Sequence, residues 1–428
     1  MLKKYFAPGS LFSYRDYRRY FFSGLIFVIG SSAFPIALAI AVLDNGGTAS
    51  DLGLILASRV LAGTLFMLIG GVWADRLPRK WVMIGADSFR GLIALVLVFV
   101  SVNHMPLWAI GLLVFLMGLG DSFGAPAGSA IVPSLLPDEL LPQGNVAKGI
   151  VAKIGTIVGP GVGGISVAVI GADYTFAVTA AAFFFGTVLL LPIKEKARQE
   201  ILEDKPTFLF ELKEGFKLVW EIKWIAASIA MATFQLMVIV AAETVLLPVI
   251  TRREFGTNST FAISAAMFSL GGVISALAAI KIKTQKPGLV AISLWSMFAF
   301  APLVLAFPIS PTVVIIGYFI AGLSIGGWEA YWVTAVQREV PQDMQGRVFS
   351  IDMVGSGGLM PLGMALVGPV VALIGERTFL LWAIAFHLLV CYLVLLVPGV
   401  KEMRDPRRAQ LQNDSGESNS PIGEQSQP

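Results

Sequence analysis

Apolar and polar positions in this chain alternate in whole segments, not residue by residue. Long apolar runs recur throughout, separated by short connections rich in charge, glycine or proline. The first six fall at roughly 20–43, 52–74, 81–100, 106–127, 148–170 and 174–193. Six more follow at roughly 224–250, 261–280, 288–307, 312–333, 348–373 and 378–398. About twenty residues of helix cross the hydrocarbon layer of a bilayer. The pattern therefore predicts an all-α membrane protein with twelve transmembrane helices in two pseudo-symmetric six-helix halves, 1–193 and 224–400. The stretch between them, 194–223, is the most charged internal segment. Within it Phe208, Leu209, Leu212, Phe216, Leu218, Val219 and Trp220 interleave with Glu211, Lys213, Glu214 and Lys217. That spacing predicts an amphipathic helix lying on the membrane surface. A tail over 401–428 turns polar and Ser/Gln/Glu-rich from Ala409, a composition expected to be disordered.

The halves share an internal repeat. Phe115, Gly118-Leu119, Ala130 and Pro137-Asp138-Glu139 reappear 204 residues later as Phe319, Gly322-Leu323, Thr334 and Pro341-Gln342-Asp343. Paired halves of this kind are the building plan of alternating-access carriers.

Composition agrees. Of the 428 residues 56% are hydrophobic and only 14% charged, which excludes a soluble globular protein. The single cysteine, Cys391, excludes a disulfide framework. With only His104 and His387 as histidines, no metal site or cofactor is expected. The first apolar run is long and has no small-residue cleavage site, so no cleavable signal peptide is expected. With the N-terminus inside, 26 of the 31 Lys and Arg residues fall on the cytoplasmic side, and only Arg252, Arg253 and Arg377 on outer loops. This bias predicts that both termini are cytoplasmic. The net charge of +3 then reflects membrane topology and calls for no nucleic-acid partner.

Between runs two and three stands Gly71-Val72-Trp73-Ala74-Asp75-Arg76-Leu77-Pro78-Arg79-Lys80. Asp75 is placed to cap a neighbouring helix N-terminus, and Arg76, Arg79 and Lys80 to sit among lipid head groups. The stretch resembles the loop between helices 2 and 3 of the major facilitator superfamily, Gly-x-x-x-Asp-Arg-x-Gly-Arg-Arg/Lys, with Pro78 in place of the usual Gly. Run five carries Gly155, Gly159, Pro160, Gly161, Gly163 and Gly164, which resembles the helix-5 motif of drug:proton antiporters. Its literal fit to a dinucleotide fingerprint is rejected, because the strand-to-helix context is missing. Tyr14-Arg15-Asp16-Tyr17-Arg18, Pro126-Ala127, Pro137-Asp138-Glu139-Leu140 and Gln337…Pro341…Gly346-Arg347-Val348 extend the resemblance to the drug:proton antiporter-3 branch. That branch includes macrolide exporters and the enterobactin exporter. The resemblance covers 12–398 and implies that runs 1, 4, 7 and 10 line a central cavity. It also implies that the Asp75 loop docks near Asp352 to close the cytoplasmic side as an inner gate.

Ionisable groups inside a membrane are costly and mark function. Asp121, Glu243 and Glu329 lie in runs 4, 7 and 10, and are the candidates for proton and substrate binding. Arg59 in run 2 is their candidate counter-charge, and an Arg59–Asp121 pair the structural alternative. Asp87 and Arg90, three apart on run 3, read as a local pair. Trp328, Tyr331 and Trp332 flank Glu329 and would suit an amphiphilic cation. Asn258-Ser259-Thr260 matches a glycosylation acceptor only by chance. No phosphate-binding loop and no nucleophile–base arrangement occurs, so neither ATP-driven transport nor an enzyme is expected. The expected function is export of a small amphiphilic, drug- or macrolide-like compound by proton antiport across a bacterial inner membrane. The carrier is expected to be monomeric, with the substrate, protons and the lipid bilayer as its partners. An anionic siderophore bound through Arg59, a lysophospholipid, or a non-transporting membrane sensor are the alternatives.

Overall fold

A computed structural model describes residues 9–195, 208–282 and 284–404, and among these every regular element is a helix. The first apolar run forms α1 (Arg15–Ser31) and α2 (Phe34–Asp44), which break where Pro35 opens the second piece. Runs two to four form α3 (Ala49–Arg76), α4 (Arg79–Val102) and α5 (Leu107–Ala130), followed by a single turn, α6 (Val132–Leu135). Runs five and six make one 50-residue element, α7 (Leu141–Leu190), divided at Gly171. There φ is +83°, a backbone setting that glycine adopts without strain. The linker supplies α8 (Phe208–Glu221).

Run seven is α9 (Lys223–Gln235), a π-helical turn over Leu236–Val240, and α10 (Ala241–Phe255). Run eight is α11 (Ser259–Lys281), and run nine is α12 (Pro287–Ser296) with α13 (Phe300–Ala306). Run ten is α14 (Pro311–Glu339). Run eleven is α15 (Gln342–Gly357) with α16 (Met360–Ile374), and run twelve is α17 (Glu376–Val394). Eleven stretches among the described residues are long and apolar enough to cross a membrane. Dividing α7 at Gly171 brings the segments to the expected six and six.

Each half is built on the same close crossing. A Cβ on Gly118 would lie 2.1 Å from the Arg59 carbonyl oxygen, so α3 and α5 touch backbone to backbone. In the other half a Cβ on Gly322 would lie 2.0 Å from the Phe268 carbonyl, where α11 meets α14. Gly118 and Gly322 are the repeat pair of the sequence. Small residues at such crossings are how membrane helices gain van der Waals contact where no hydrophobic drive separates protein from lipid.

The halves meet at the end of the bundle away from the N-terminus. A Cβ on Gly53 of α3 would lie 2.2 Å from the Met364 carbonyl of α16, and one on Gly368 would strike Ser50. Gly164 of α7 faces Ala262 of α11 in the same way. Ala57, Val245, Leu246 and Met364 belong to one buried apolar cluster shared by both halves. Arg252 closes the edge of this seal on Asp44, with nitrogen and oxygen 2.5 Å apart.

At the opposite end α8 packs on α15. Gly215 sits against Ile351, and Arg347 pairs with Glu214 at 2.7 Å. Phe216 and Trp220 stay exposed on its other side. The remainder of the linker, 196–207, and the expected tail from 405 lie outside the described residues.

Candidate functional site

The charged groups of the first half converge. Arg59 Nε donates to Asp121 Oδ2 at 3.0 Å, and Arg90 donates to Asp121 Oδ1 at 2.8 Å. Arg90 also pairs with Asp87 on its own helix. Two aspartates and two arginines from α3, α4 and α5 thus form one neutral network. Glycines make the space for it: a Cβ on Gly120 would lie 2.6 Å from the Arg90 Cγ, and one on Gly124 2.6 Å from its guanidinium. Phe27 and Phe183 flank that guanidinium at 4.8 and 4.9 Å, and Phe34 lies 4.8 Å from Arg59. The expected Arg59–Asp121 and Asp87–Arg90 pairs are therefore halves of a single cluster. The link through Arg90 was not readable, because its partner lies 31 residues away on another helix.

Glu243 is placed differently. It sits at the start of α10, just past the π-helical turn, and no described cation comes within ion-pair distance of it. Its polar neighbours are the Thr244 hydroxyl at 3.5 Å and the Tyr318 hydroxyl of α14. Tyr318 is 1% exposed. Two residues along the helix, Val245 touches the seal at Gly53.

Glu329 is exposed on α14. Its sequence neighbours do not enclose it. Trp328 and Trp332 stack on one another at 5.9 Å and turn into the core of the second half beside Trp295 and Trp224. Consecutive positions on a helix point about 100° apart, so neighbours in sequence need not share a face. Trp332 Nε1 instead donates to Asp352 at 2.8 Å, and Ser356 donates to the other oxygen of Asp352 at 2.7 Å.

The basic loop is two residues long, Leu77 and Pro78, between α3 and α4. An anion at the α4 N-terminus is Glu195: the backbone N–H groups of Arg79 and Lys80 donate to it at 3.3 and 3.2 Å. Lys80 Nζ donates to the carbonyls of Leu191 and Ile193, tying the loop to the end of α7. Arg76 is exposed, and the side-chain surroundings of Gly71 and Asp75 lie outside the described residues. Of the run-five motif, Gly155 packs on Val28, Gly163 on Ala33, and Gly164 on Ala262 across the halves. The helix runs through Gly159 and Pro160, whose packing lies outside the described residues.

A further polar cluster lies in the second half. Trp295 Nε1 donates to Gln235 Oε1 at 2.6 Å, and Gln235 donates to the His387 carbonyl and to Cys391 Sγ. It anchors α9 immediately before the π-helical turn.

Two like halves of membrane-spanning helices, sealed at one end and holding embedded charges, define a secondary-transporter fold. Residues 20–364 match the Major Facilitator Superfamily, and the chain belongs to that family. Its relatives include macrolide efflux protein A of Streptococcus pyogenes, 25% identical over 389 residues, which span 88% of this chain and 94% of the relative. The multidrug efflux pump Tap of Mycobacterium tuberculosis is 25% identical over 404 residues, spanning 89% and 93%. Among solved structures the D-xylose-proton symporter aligns with a TM-score of 0.70 at 13% identity, covering 91% of this chain and 98% of that one. The nucleoside transporter NupG aligns at 0.69 and 13%, covering 89% and 98%. The family consists of multi-pass membrane transporters for small molecules, not enzymes.

Proposed function

We propose that this protein exports a small amphiphilic compound by proton antiport, with Glu243 as the group that gains and loses the proton. The observation that carries this reading is a membrane-embedded carboxyl with no counter-charge among the described residues, two residues from the seal between the halves. Asp121 has both oxygens engaged by arginines, so a proton would have to displace an ion pair there. Glu243 has no such competitor, and a cationic substrate or a proton can satisfy it in turn. The names of the relatives, efflux proteins matched over nearly their full length, support export over uptake.

In this reading 1–193 and 224–400 are the moving halves, and 194–223 is the cytoplasmic linker. The chain works as a monomer in a bacterial inner membrane with both termini cytoplasmic. The sealed end is then the outer one, and the described conformation opens to the cytoplasm. Asp352, engaged here by Trp332 and Ser356, meets the Asp75 loop only in the opposite conformation.

Inverted membrane vesicles test the proposal, with ethidium, erythromycin and a catecholate siderophore offered with and without a proton gradient. Gradient-dependent uptake of ethidium or erythromycin, lost in Glu243→Gln at unchanged expression, is the expected result. Coupled uptake that survives Glu243→Gln would remove Glu243 from the mechanism. Siderophore uptake alone would move recognition to Arg59.

A further inference from the structure

Helix α8 has two unlike faces. On one, a Cβ on Gly215 would lie 2.8 Å from Ile351, and Val219 and Ile222 are only 5% and 1% exposed. Val219 and Ile222 share an apolar cluster with Val348 and Ile351 of α15 and Trp224 of α9. Glu214 secures this seat on Arg347 at 2.7 Å. Positions 213, 216, 217 and 220 recur at the three- and four-residue spacing of a single helix face, opposite the seat. Lys213 and Lys217 are exposed there, and so are Phe216 and Trp220, at 57% and 73%.

Two large rings left in bulk water are unfavourable, and two lysines are unfavourable at the dry centre of a protein interface. The boundary layer of a bilayer suits both. Rings settle at the level of the glycerol and carbonyl groups, while lysine stems carry their ammonium groups out to the phosphates. The chain holds α8 at that level. Only Ile222 separates it from α9, which opens the membrane-length segment Lys223–Phe255. Its seat on Ile351 lies within a second such segment, Met344–Ile374.

Charge decides which lipid. Glu214 is turned to Arg347, and Glu221 meets Lys217 only at 3.9 Å, with side chains 59% and 77% exposed. An exposed pair of that length holds Lys217 weakly against water. Lys223, exposed at the start of α9, adds a third cation beside the same face.

We propose that the outer face of α8 is a docking surface for anionic phospholipid headgroups, with Lys213 and Lys217 on the phosphates and Phe216 and Trp220 beside the glycerol. Because the opposite face grips α15, a bound anionic lipid ties the N-terminal part of that helix to the membrane surface.

The full-length protein in lipid nanodiscs tests this without any transported substrate. Trp220 fluorescence is isolated as the difference between wild type and Trp220→Phe. It is followed as brominated phosphatidylglycerol or brominated phosphatidylcholine replaces plain phosphatidylcholine. A lysine at the surface gives about a fivefold preference for anionic lipid. Half-quenching by the phosphatidylglycerol is therefore expected at a mole fraction about fivefold lower, or less, than by the phosphatidylcholine. Lys213→Gln with Lys217→Gln should bring the two curves together; both side chains are exposed, so the seat on α15 is kept. Lys286→Gln, which removes an exposed cation from the turn before α12, should leave the curves apart. Coincident curves in the wild type overturn the anionic preference. Trp220 quenched by neither lipid overturns membrane docking and leaves this face to water or a protein partner. A preference that survives the double variant overturns the assignment of Lys213 and Lys217.

Discussion

Gly53→Ala should push the protein towards the conformation open at the now sealed end. The added methyl would be placed 2.2 Å from the Met364 carbonyl of the other half, against about 3.4 Å for ordinary contact. About 1 Å of separation between α3 and α16 is needed to relieve that overlap. Forcing extra volume into a packed interface costs about 1–3 kcal/mol. The open conformation separates these helices and bears none of this cost. The ratio of open to sealed should therefore rise by a factor of roughly 5 to 150. Gly118→Ala is the contrasting variant, because its methyl would meet the Arg59 carbonyl at 2.1 Å inside one half. Both conformations bear that cost, so thermal stability should fall and the conformational ratio should stay. Nitroxides on cysteines placed at Met105 and Thr257, in the turns before α5 and α11, read the ratio from their separation, and a fluorescent thiol-dye melt reads the stability. Equal ratios in Gly53→Ala and wild type would refute the identification of this contact as the seal.

Three further outcomes follow from contacts on the page. Asp121→Asn leaves Arg59 without its carboxylate inside the bundle and should cost about 3–5 kcal/mol, seen as a lowered melting temperature. Adding Arg59→Gln should recover part of that loss, because Asp87 still neutralises Arg90; no recovery would mean that the network is not balanced as a unit. Arg252→Ala removes an ion pair that is 36% and 39% exposed, worth about 0.2–1 kcal/mol. It should open the seal by less than about fivefold in the nitroxide assay. Glu195→Gln removes the charge at the α4 N-terminus, and trypsin cleavage after Arg79 or Lys80 should become faster.

The membrane segments were legible because a bilayer imposes length and apolarity on each crossing separately. The boundary at 171–173 fell where Gly171 breaks α7, and the repeat placed Gly118 and Gly322 at equivalent crossings. The Arg59–Asp121 pair was within reach of the sequence, but other contacts between distant segments escaped. Arg90 read as the partner of Asp87 alone, since nothing near it in sequence names Asp121. Glu195 gave no sign that it reaches the α4 N-terminus from beyond the end of α7. Trp328 and Trp332 read as company for Glu329 because they are its neighbours in sequence, but their 3.6-residue periodicity turns them into the core. Tyr318 carried no signal at all, because an aromatic in an apolar run reads as packing, and its ring does pack on Phe268.

The shared crossing makes the difference between the halves interpretable. Where α3 meets Gly118 the residue is Arg59, and where α11 meets Gly322 it is Phe268. The first half fills this position with a cation and locks it through Asp121 and Arg90 to three helices. The second fills it with a ring against Tyr318 and Phe298, and among the described residues the nearby Glu243 has no charged partner. Each proton added to this locked, neutral network would break an ion pair in a low-dielectric setting. An unpaired acid on a helix interrupted by a π-helical turn has neither restraint. In the proposed reading the two halves thus hold different parts of the work: the first supplies a rigid wall, and the second a group whose charge can change as the halves part.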